Sequence, residues 1–220
     1  MNIETAVRQR HTVRKYKNKA LPAPLVKKLR AKVSQLNAAH DLNITLVTNN
    51  GEAFKGLGRL FLHNNVKNYF VMAGPKDRKE ALGSAAASLM VYCQMLGLNT
   101  WYAAATYSAR NARKNSHVPE GCYIGGVIAV GYGHNQGTPH KSKTPDIVSK
   151  YEGQAPDWFL KGVEYALMAP TAMNRQSFMI TGEGNHVHID YAPGSLQEID
   201  LGIVKHFFGL GAGLNKFHWS

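Results

Sequence analysis

Apolar positions recur along the chain at two spacings, and these spacings predict helices interleaved with strands. Between residues 24 and 37, Leu25, Leu29, Val33 and Leu36 repeat at helical spacing, while lysines and arginines occupy the positions between them. This spacing is typical of an amphipathic helix with one buried face. Comparable patterns predict further helices over 3–8, 79–96, 109–114, 157–169 and 196–213.

Runs of β-branched and aromatic residues predict strands between these helices. They cover 43–48, 68–74, 100–105 and 122–133, and a hairpin is predicted over 177–190. Residues 134–147 are polar and predict a loop. In the helix over 79–96, Gly83, Ser84 and neighbouring alanines permit close packing against another element. Strands and helices that interleave in this way predict an α/β or α+β class.

Length and composition are those of a folded protein with one domain or two small ones. The 220 residues are 44% apolar and 18% charged, which is far from the composition of disordered chains. No apolar run reaches the ~18 residues of a membrane helix, and residues 1–10 lack the hydrophobic segment of a signal peptide. We therefore expect a cytoplasmic protein. Cys93 and Cys122 have no CxxC spacing, so no metal site or redox pair is expected.

The formal net charge of +12 favours anionic ligands, and one basic segment near the start of the chain is a candidate site for them. This segment reads RQRHTVRKY and covers residues 8–16. Alternation in an extended segment would put Arg10, Thr12 and Arg14 on one side and His11 on the other. Two guanidinium groups that flank a hydroxyl group can bind one phosphate. The segment is therefore either a phosphate clamp or a basic arm for nucleic acid.

An internal repeat is the most informative long-range pattern. At an offset of 134 residues, 21–48 aligns without gaps on 155–182, and at an offset of 116, Gly-Leu-Asn at 97–99 falls on Gly-Leu-Asn at 213–215. The repeat predicts a first half-unit over 1–150 and a shorter second one over 151–220, packed about a pseudo-two-fold axis with a ligand site at their junction. Chance similarity between two helix-plus-strand units is the alternative.

Several segments, in this order, resemble the nitroreductase family of FMN-dependent oxidoreductases. They are RQRHTVRKY (8–16), GSAAASLMVYCQMLGLNTWYAAAT (83–106), VPEGCYIGGVIAVGYG (118–133), KSK (141–143) and APTAMNRQ (169–176), the last resembling the family signature Ala-Pro-Ser-x-x-Asn-x-Gln. Ordinary members carry that signature after the first helix, where this chain reads SQLNAAHDL. The chain is therefore most similar to the subgroup with a carboxy-terminal half-repeat. The resemblance implies an α+β nitroreductase-like fold with a central mixed or antiparallel sheet flanked by helices.

The resemblance also implies which residues would bind FMN. The basic residues and Thr12 would hold the ribityl phosphate, with Arg14 near N1 and C2 of the ring, where reduction adds negative charge. The backbone at the end of the third predicted strand would face N5, and the segment after the fifth predicted helix (157–169) would line the ring. The expected cofactor-binding residues are Arg10, His11, Thr12, Arg14, Ala103, Ala104, Lys141, Lys143, Pro170, Thr171, Ala172, Met173, Asn174 and Gln176.

The implied activity is hydride transfer from NAD(P)H through flavin N5 to a small electrophile such as a quinone or a nitroaromatic compound. No side chain is required as proton donor, because the cofactor carries the chemistry. A basic nucleic-acid-binding module and a flavin-binding protein with little turnover stay open as alternatives. The expected partner is a small-molecule substrate, not nucleic acid or a membrane. The first half lacks the ring-side signature, and the second half lacks the basic residues that would hold the phosphate. We therefore expect one site per chain in a pseudo-dimeric monomer. A homodimer is the alternative.

Overall fold

A computed structural model describes residues 1–55 and 65–220, and the predicted helices are present close to their predicted bounds, whereas α5 begins within the segment predicted as a loop. The helices are α1 (Ile3–Gln9), α2 (Ala23–His40), α3 (Lys79–Met95), α4 (Ala109–Asn115), α5 (Pro145–Val148), α6 (Asp157–Ala166) and α7 (Gln197–Ala212). Short 3-10 turns add Glu52–Phe54, Lys76–Arg78 and Ala172–Asn174. Gly97 follows α3 with a φ of 75°, a left-handed conformation that glycine adopts freely and that ends a helix. None of the helices in the described ranges is long and apolar enough to cross a membrane.

The strands of the described residues form two sheets. They are β1 (Thr45–Val47), β2 (Tyr69–Gly74), β3 (Asn99–Ala103), β4 (Tyr123–Gly131), β5 (Ser149–Tyr151), β6 (Phe178–Glu183), β7 (His186–Tyr191) and β8 (His218–Trp219). The first sheet has the order β1-β2-β4-β3 with antiparallel neighbours. The second has the order β5-β6-β7-β8, in which only β6 and β7 are antiparallel. The class is α+β.

The expectation of one central sheet is corrected by this arrangement, because two helices separate the sheets. Helix α3 packs on the first sheet, α7 packs on the second, and α3 and α7 pack on each other. The contact is close at two glycines. A Cβ atom on Gly83 would lie 2.0 Å from the carbonyl oxygen of Ile199, and one on Gly202 would lie 1.9 Å from that of Glu80. Gly83 thus permits the close helix packing that the sequence predicts.

Three clusters of buried side chains follow from these layers. One fills the space between the second sheet and helices α1, α6 and α7. Another lies between the first sheet and helices α2 and α3, and the last covers the opposite face of that sheet beneath α4. Helix α3 contributes to the first two clusters, so it belongs to the cores of both halves. The halves are therefore joined by a shared core and form one compact unit.

Candidate functional site

The basic amino-terminal segment leaves α1 and lies beside β3. The backbone N–H of Val13 donates a hydrogen bond of 3.0 Å to the carbonyl oxygen of Thr100, and Thr12 forms a parallel bridge with the same residue. Arg10, at the end of α1, is only 3% exposed, whereas Arg14 is exposed. The guanidinium carbon of Arg14 lies 5.4 Å from the centre of the Trp101 ring. The segment therefore presents one buried and one exposed guanidinium group.

Arg10 is a buried cation whose hydrogen-bonding capacity is only partly used. Its Nη2 donates to the carbonyl oxygen of Met168 at 3.2 Å, and its guanidinium carbon lies 5.7 Å from the centre of the Phe207 ring. Its Nε is buried and has no hydrogen-bond partner among the described residues. Burial lowers the pKa of Arg10 to about 10, so the group is still charged at neutral pH. A buried donor without a partner is unusual in native proteins and is consistent with an absent anionic ligand.

The segment that contains Lys141 and Lys143 lies near the amino-terminal segment. Burial, together with the positive charges of Arg10 and His140, lowers the pKa of His11. Gly137 has a φ of 76°, and a Cβ atom there would lie 2.7 Å from that of His11. Only a residue without a side chain can bring the two backbones this close. The loop after β4 is thus held against the amino-terminal segment at His11.

Residues 170–176 form a tight loop after α6, and three of its residues adopt left-handed backbone conformations. Met173, Asn174 and Gln176 have φ values of 53°, 55° and 47°. Non-glycine residues rarely adopt such values, and they concentrate at functional sites. Within the loop, the Gln176 N–H donates to the Thr171 hydroxyl at 3.2 Å. Pro170 and Ala172 are half-buried, whereas Met173 and Asn174 are exposed. The last two are therefore open to a ligand.

Hydrogen bonds join this loop to the lysine segment. The Asn174 amide donates to the carbonyl oxygen of Lys141 at 2.7 Å. The Gln176 side-chain oxygen accepts from the Lys143 N–H at 2.8 Å, and the Lys143 ammonium group donates to the Gln176 carbonyl oxygen at 2.9 Å. Gln176 also donates to the carbonyl oxygen of Leu167 at 3.2 Å and is itself buried. Gln176 thus holds the two segments together, while the ammonium group of Lys141 stays exposed.

Asp200 on α7 is a site residue that the sequence reasoning missed. Its Oδ2 accepts from the Ala172 N–H at 3.0 Å and from the Tyr191 hydroxyl at 2.8 Å. Burial raises the pKa of this carboxyl group, and the two hydrogen bonds act in the opposite direction. The only signal in the sequence was one acidic residue within the apolar stretch IDLGIV. Asp200 anchors the beginning of the 3-10 turn that carries Met173 and Asn174.

Ala103 and Ala104, whose backbone is predicted to face N5, lie at the end of β3. Ala103 is buried and ends the strand, and Ala104 follows half-buried. The neighbouring Tyr102 donates to the carbonyl oxygen of Gly125 at 3.0 Å. Its pKa is raised by burial first and also by other groups, of which Asp200 is one. Tyr102 is therefore held against β4 at this end of the strand.

Some of the predicted residues are brought together from distant parts of the chain. Arg10 hydrogen-bonds to the backbone after α6, and Lys141 and Lys143 hydrogen-bond to the 170–176 loop. Exposed Arg14 and Lys141 and the unpaired Nε of Arg10 supply cationic donors. Such donors bind phosphate through charge-assisted hydrogen bonds. The residues present therefore fit a phosphate-bearing cofactor such as FMN.

Solved structures show the same fold. A protein described as a putative nitroreductase from Thermotoga maritima MSB8 is 20% identical, with a TM-score of 0.65 over 96% of this chain and 83% of that one. A nitroreductase-like protein from Streptococcus mutans is 16% identical, with a TM-score of 0.54 over 66% of this chain and 95% of that one. No curated protein sequence matches the chain. The family model described as "Putative TM nitroreductase" matches residues 2–212, and the chain therefore belongs to this nitroreductase family.

Proposed function

We propose that the chain is an FMN-dependent oxidoreductase that passes hydride from NAD(P)H to a small electrophile such as a quinone or a nitroaromatic compound. The observation that carries the proposal is that Arg10, Lys141 and Lys143, a basic cluster, hydrogen-bond to the segment 168–176, which holds the strained 170–176 loop. In this cluster the buried Nε of Arg10 has no partner among the described residues. Membership of the nitroreductase family supports an oxidoreductase that uses a flavin.

The residues of the chain would bind and orient the cofactor. Arg10, Thr12 and Lys141 would hold the phosphate, and Lys143 keeps two further protons after its bond to Gln176. Arg14 would place positive charge near the polar edge of the ring, where reduction adds negative charge. Met173 and Asn174 would contact the ring from the other half of the chain. When bound, the flavin supplies the hydride chemistry, so the protein needs no acid or base of its own.

The order of the elements supports the proposed internal repeat. The series α2, β1, β2, α3, β3 in the first half has the same sequence of types as α6, β6, β7, α7, β8 in the second. Strand β4 lies between β2 and β3 and is antiparallel to both, so β2 and β3 are parallel to each other. In the second sheet β7 and β8 are parallel neighbours. The second sheet therefore has the arrangement expected when the counterpart of β4 is missing.

A flavin titration tests the proposed function. Arg14→Ala and Lys141→Ala remove exposed cations, and Arg10→Ala removes the buried one. A charge-assisted hydrogen bond contributes about 1.5–3 kcal/mol, so each change should weaken FMN binding by about tenfold or more. Arg30→Ala, an exposed cation on α2, is the control and should bind as the unchanged protein does. Circular dichroism shows which variants are folded.

Two outcomes of this experiment would contradict the proposal. If the unchanged protein does not bind FMN, or if folded Arg14→Ala and Lys141→Ala proteins bind it as tightly as before, the basic cluster is not the cofactor site. Oxidation of NADH or NADPH with menadione as acceptor then separates an enzyme from a flavin-binding protein with little turnover. An FMN-loaded protein that oxidises neither nucleotide is not the proposed enzyme.

A further inference from the structure

A cavity lies between α2, α3 and α7, and its lining includes none of the candidate flavin-binding residues. Its volume is about 660 Å³, which is sufficient for a small organic molecule. Its polar lining includes Lys32, Ser84, Lys205 and His206, and its apolar lining includes leucines from α2 and α7. At one side it is bounded by Leu214 and Trp219, which are large apolar residues exposed by 74% and 38%.

Ser84 and His206 form a hydrogen-bonded pair in this cavity. The Ser84 hydroxyl oxygen lies 3.2 Å from Nδ1 of His206. Burial lowers the pKa of His206 to about 4, and the positive charges of Lys32 and His40 act in the same direction. The imidazole is therefore neutral at pH 7 and can still offer Nε2 to a ligand. Within the described part of the chain no carboxylate hydrogen-bonds to His206, so the pair lacks the third member of a hydrolytic triad.

The charges around the cavity leave one cation without a counter-ion. Lys205 is paired with Glu80 at 2.7 Å, and Arg78 lies 3.9 Å from Asp77. Lys32 instead donates to the neutral side chain of Gln35 at 3.2 Å and forms no ion pair with any described carboxylate. Burial lowers its pKa, which shows that the ammonium group is partly removed from water. One partly desolvated, unpaired cation beside a neutral imidazole matches a single negative charge better than a dianionic phosphate.

The cavity also occupies the position that the repeat gives to the partner of the flavin site. With the offset of 134, Leu36, Ala39 and His40 correspond to Pro170, Met173 and Asn174, and with the offset of 116, Ser84 corresponds to Asp200. All four first-half residues line the cavity. The cluster of Arg10, Arg14, Lys141 and Lys143 has no counterpart there. This correspondence rests on the proposed repeat, whereas the geometry of the cavity does not.

We propose that this cavity binds a small aromatic monocarboxylate. The carboxylate is held by the Lys32 ammonium group and by the Ser84–His206 pair. The ring packs against Leu214 and the exposed part of Trp219. Both parts of such a ligand therefore have a complementary surface, because Lys32 has no counter-ion among the described residues and Leu214 and Trp219 stay partly exposed.

Isothermal titration calorimetry with 2-naphthoate tests the site on the full chain at pH 7 in saturating FMN. Loss of the Lys32 charge in Lys32→Met should weaken binding by about tenfold or more. Lys27→Met, an exposed lysine on the same helix outside the cavity, should bind as the unchanged protein does. Ser84→Ala and Trp219→Ala should each weaken binding, and the neutral analogue 2-naphthalenemethanol should bind more weakly than the carboxylate.

Naphthoate binding is tested independently of the flavin proposal, because Asn174→Ala should lower FMN binding and leave naphthoate binding unchanged. A protein that binds no FMN can still bind naphthoate, and the calorimetry is then done without FMN. The inference is overturned if the unchanged protein does not bind 2-naphthoate, or if Lys32→Met and Lys27→Met bind it equally. It is also overturned if Asn174→Ala abolishes naphthoate binding, since the probe then occupies the flavin site.

Discussion

Asp200 connects α7 to the 170–176 loop through a single buried oxygen. That oxygen accepts from the Ala172 N–H and from the Tyr191 hydroxyl, so two donors depend on it. Burial raises its pKa, which means that the ionised form carries a desolvation cost in the folded protein. The residue therefore orients the loop at the expense of some stability at neutral pH. It is a positioning residue for the proposed flavin site.

Substitution of Asp200 separates its hydrogen bonds from its charge. Asp200→Ala leaves two half-buried donors without this acceptor, which should lower the free energy of unfolding by about 1–3 kcal/mol and weaken FMN binding. Asp200→Asn keeps an oxygen acceptor and removes the desolvation cost of the charge, so it should preserve FMN binding and should not lower the free energy of unfolding. Urea denaturation and FMN titration of both variants measure these effects. Equal losses in the two variants would show that the charge, and not the hydrogen bonds, holds the loop.

The raised pKa of Asp200 makes the free energy of unfolding depend on pH. The pKa of Asp200 is raised in the folded state, so the folded protein binds more protons than the unfolded chain above the ordinary carboxyl pKa. The free energy of unfolding therefore falls as pH rises from that value through the folded pKa. Asp200→Asn removes this fall. An Asp200→Asn protein whose stability has the same pH profile as the unchanged protein would contradict the assignment.

At the scale of elements, the contact between α3 and α7 joins the two halves of the molecule. Gly83 and Gly202 allow backbone carbonyl groups of the opposite helix to lie against them. Glycine normally costs a helix about 1 kcal/mol relative to alanine, so both glycines weaken their own helices. Here the added methyl group would meet backbone oxygen at about 2 Å, a clash larger than that gain. The close packing of α3 on α7 therefore contributes more to stability than alanine would gain in helix propensity at Gly83 or Gly202.

Alanine at either glycine should therefore destabilise the protein. Gly202→Ala is expected to lower the free energy of unfolding by about 1–3 kcal/mol or more, because the opposing backbone has to move. Gly194→Ala is the control, since nothing lies within 4 Å of its added Cβ atom, and it should change the free energy by less than about 0.5 kcal/mol. Chemical denaturation measures the free energy of unfolding of both variants. A Gly202→Ala protein more stable than the unchanged one would contradict the close packing.

At the scale of the whole molecule, we propose that a single chain builds one complete flavin site. The first half carries Arg10, Arg14, Lys141 and Lys143, and the second half carries the 170–176 loop. Hydrogen bonds between Lys143 and Gln176 join these parts within one chain. A monomer is then sufficient for cofactor binding, whatever the oligomeric state.

Mixed chains distinguish a site within one chain from a site shared between subunits. Arg10→Ala and Asn174→Ala chains, each weakened in FMN binding, are co-expressed and purified together through two different affinity tags. A site within one chain carries one defect in every molecule, so FMN binding should stay as weak as in the separate variants. Sites shared between subunits would regain an intact pair in some dimers. Recovery of tight FMN binding in the mixture would exclude the single-chain site.

The sequence by itself determined the long elements, since their signals are local. Helical spacing over residues 24–37 and the apolar run over 122–133 identified α2 and β4 to within a few residues. Strands β5 and β8 were missed because each has at most three residues and forms only when a neighbouring strand supplies hydrogen bonds. The resemblance carried by the motifs identified the family, which the family model confirmed.

The tertiary structure decided which residues meet. Arg10 contacts Met168, and Lys143 contacts Gln176, and no local periodicity encodes contacts across such separations. It also placed Gln176 in a buried hydrogen-bond network and revealed Asp200 as the anchor of the loop. Division into two sheets followed from the α3–α7 packing, where helices of different halves fit through Gly83 and Gly202. Local patterns specify elements, whereas the site depends on steric fit and burial between elements distant in the chain.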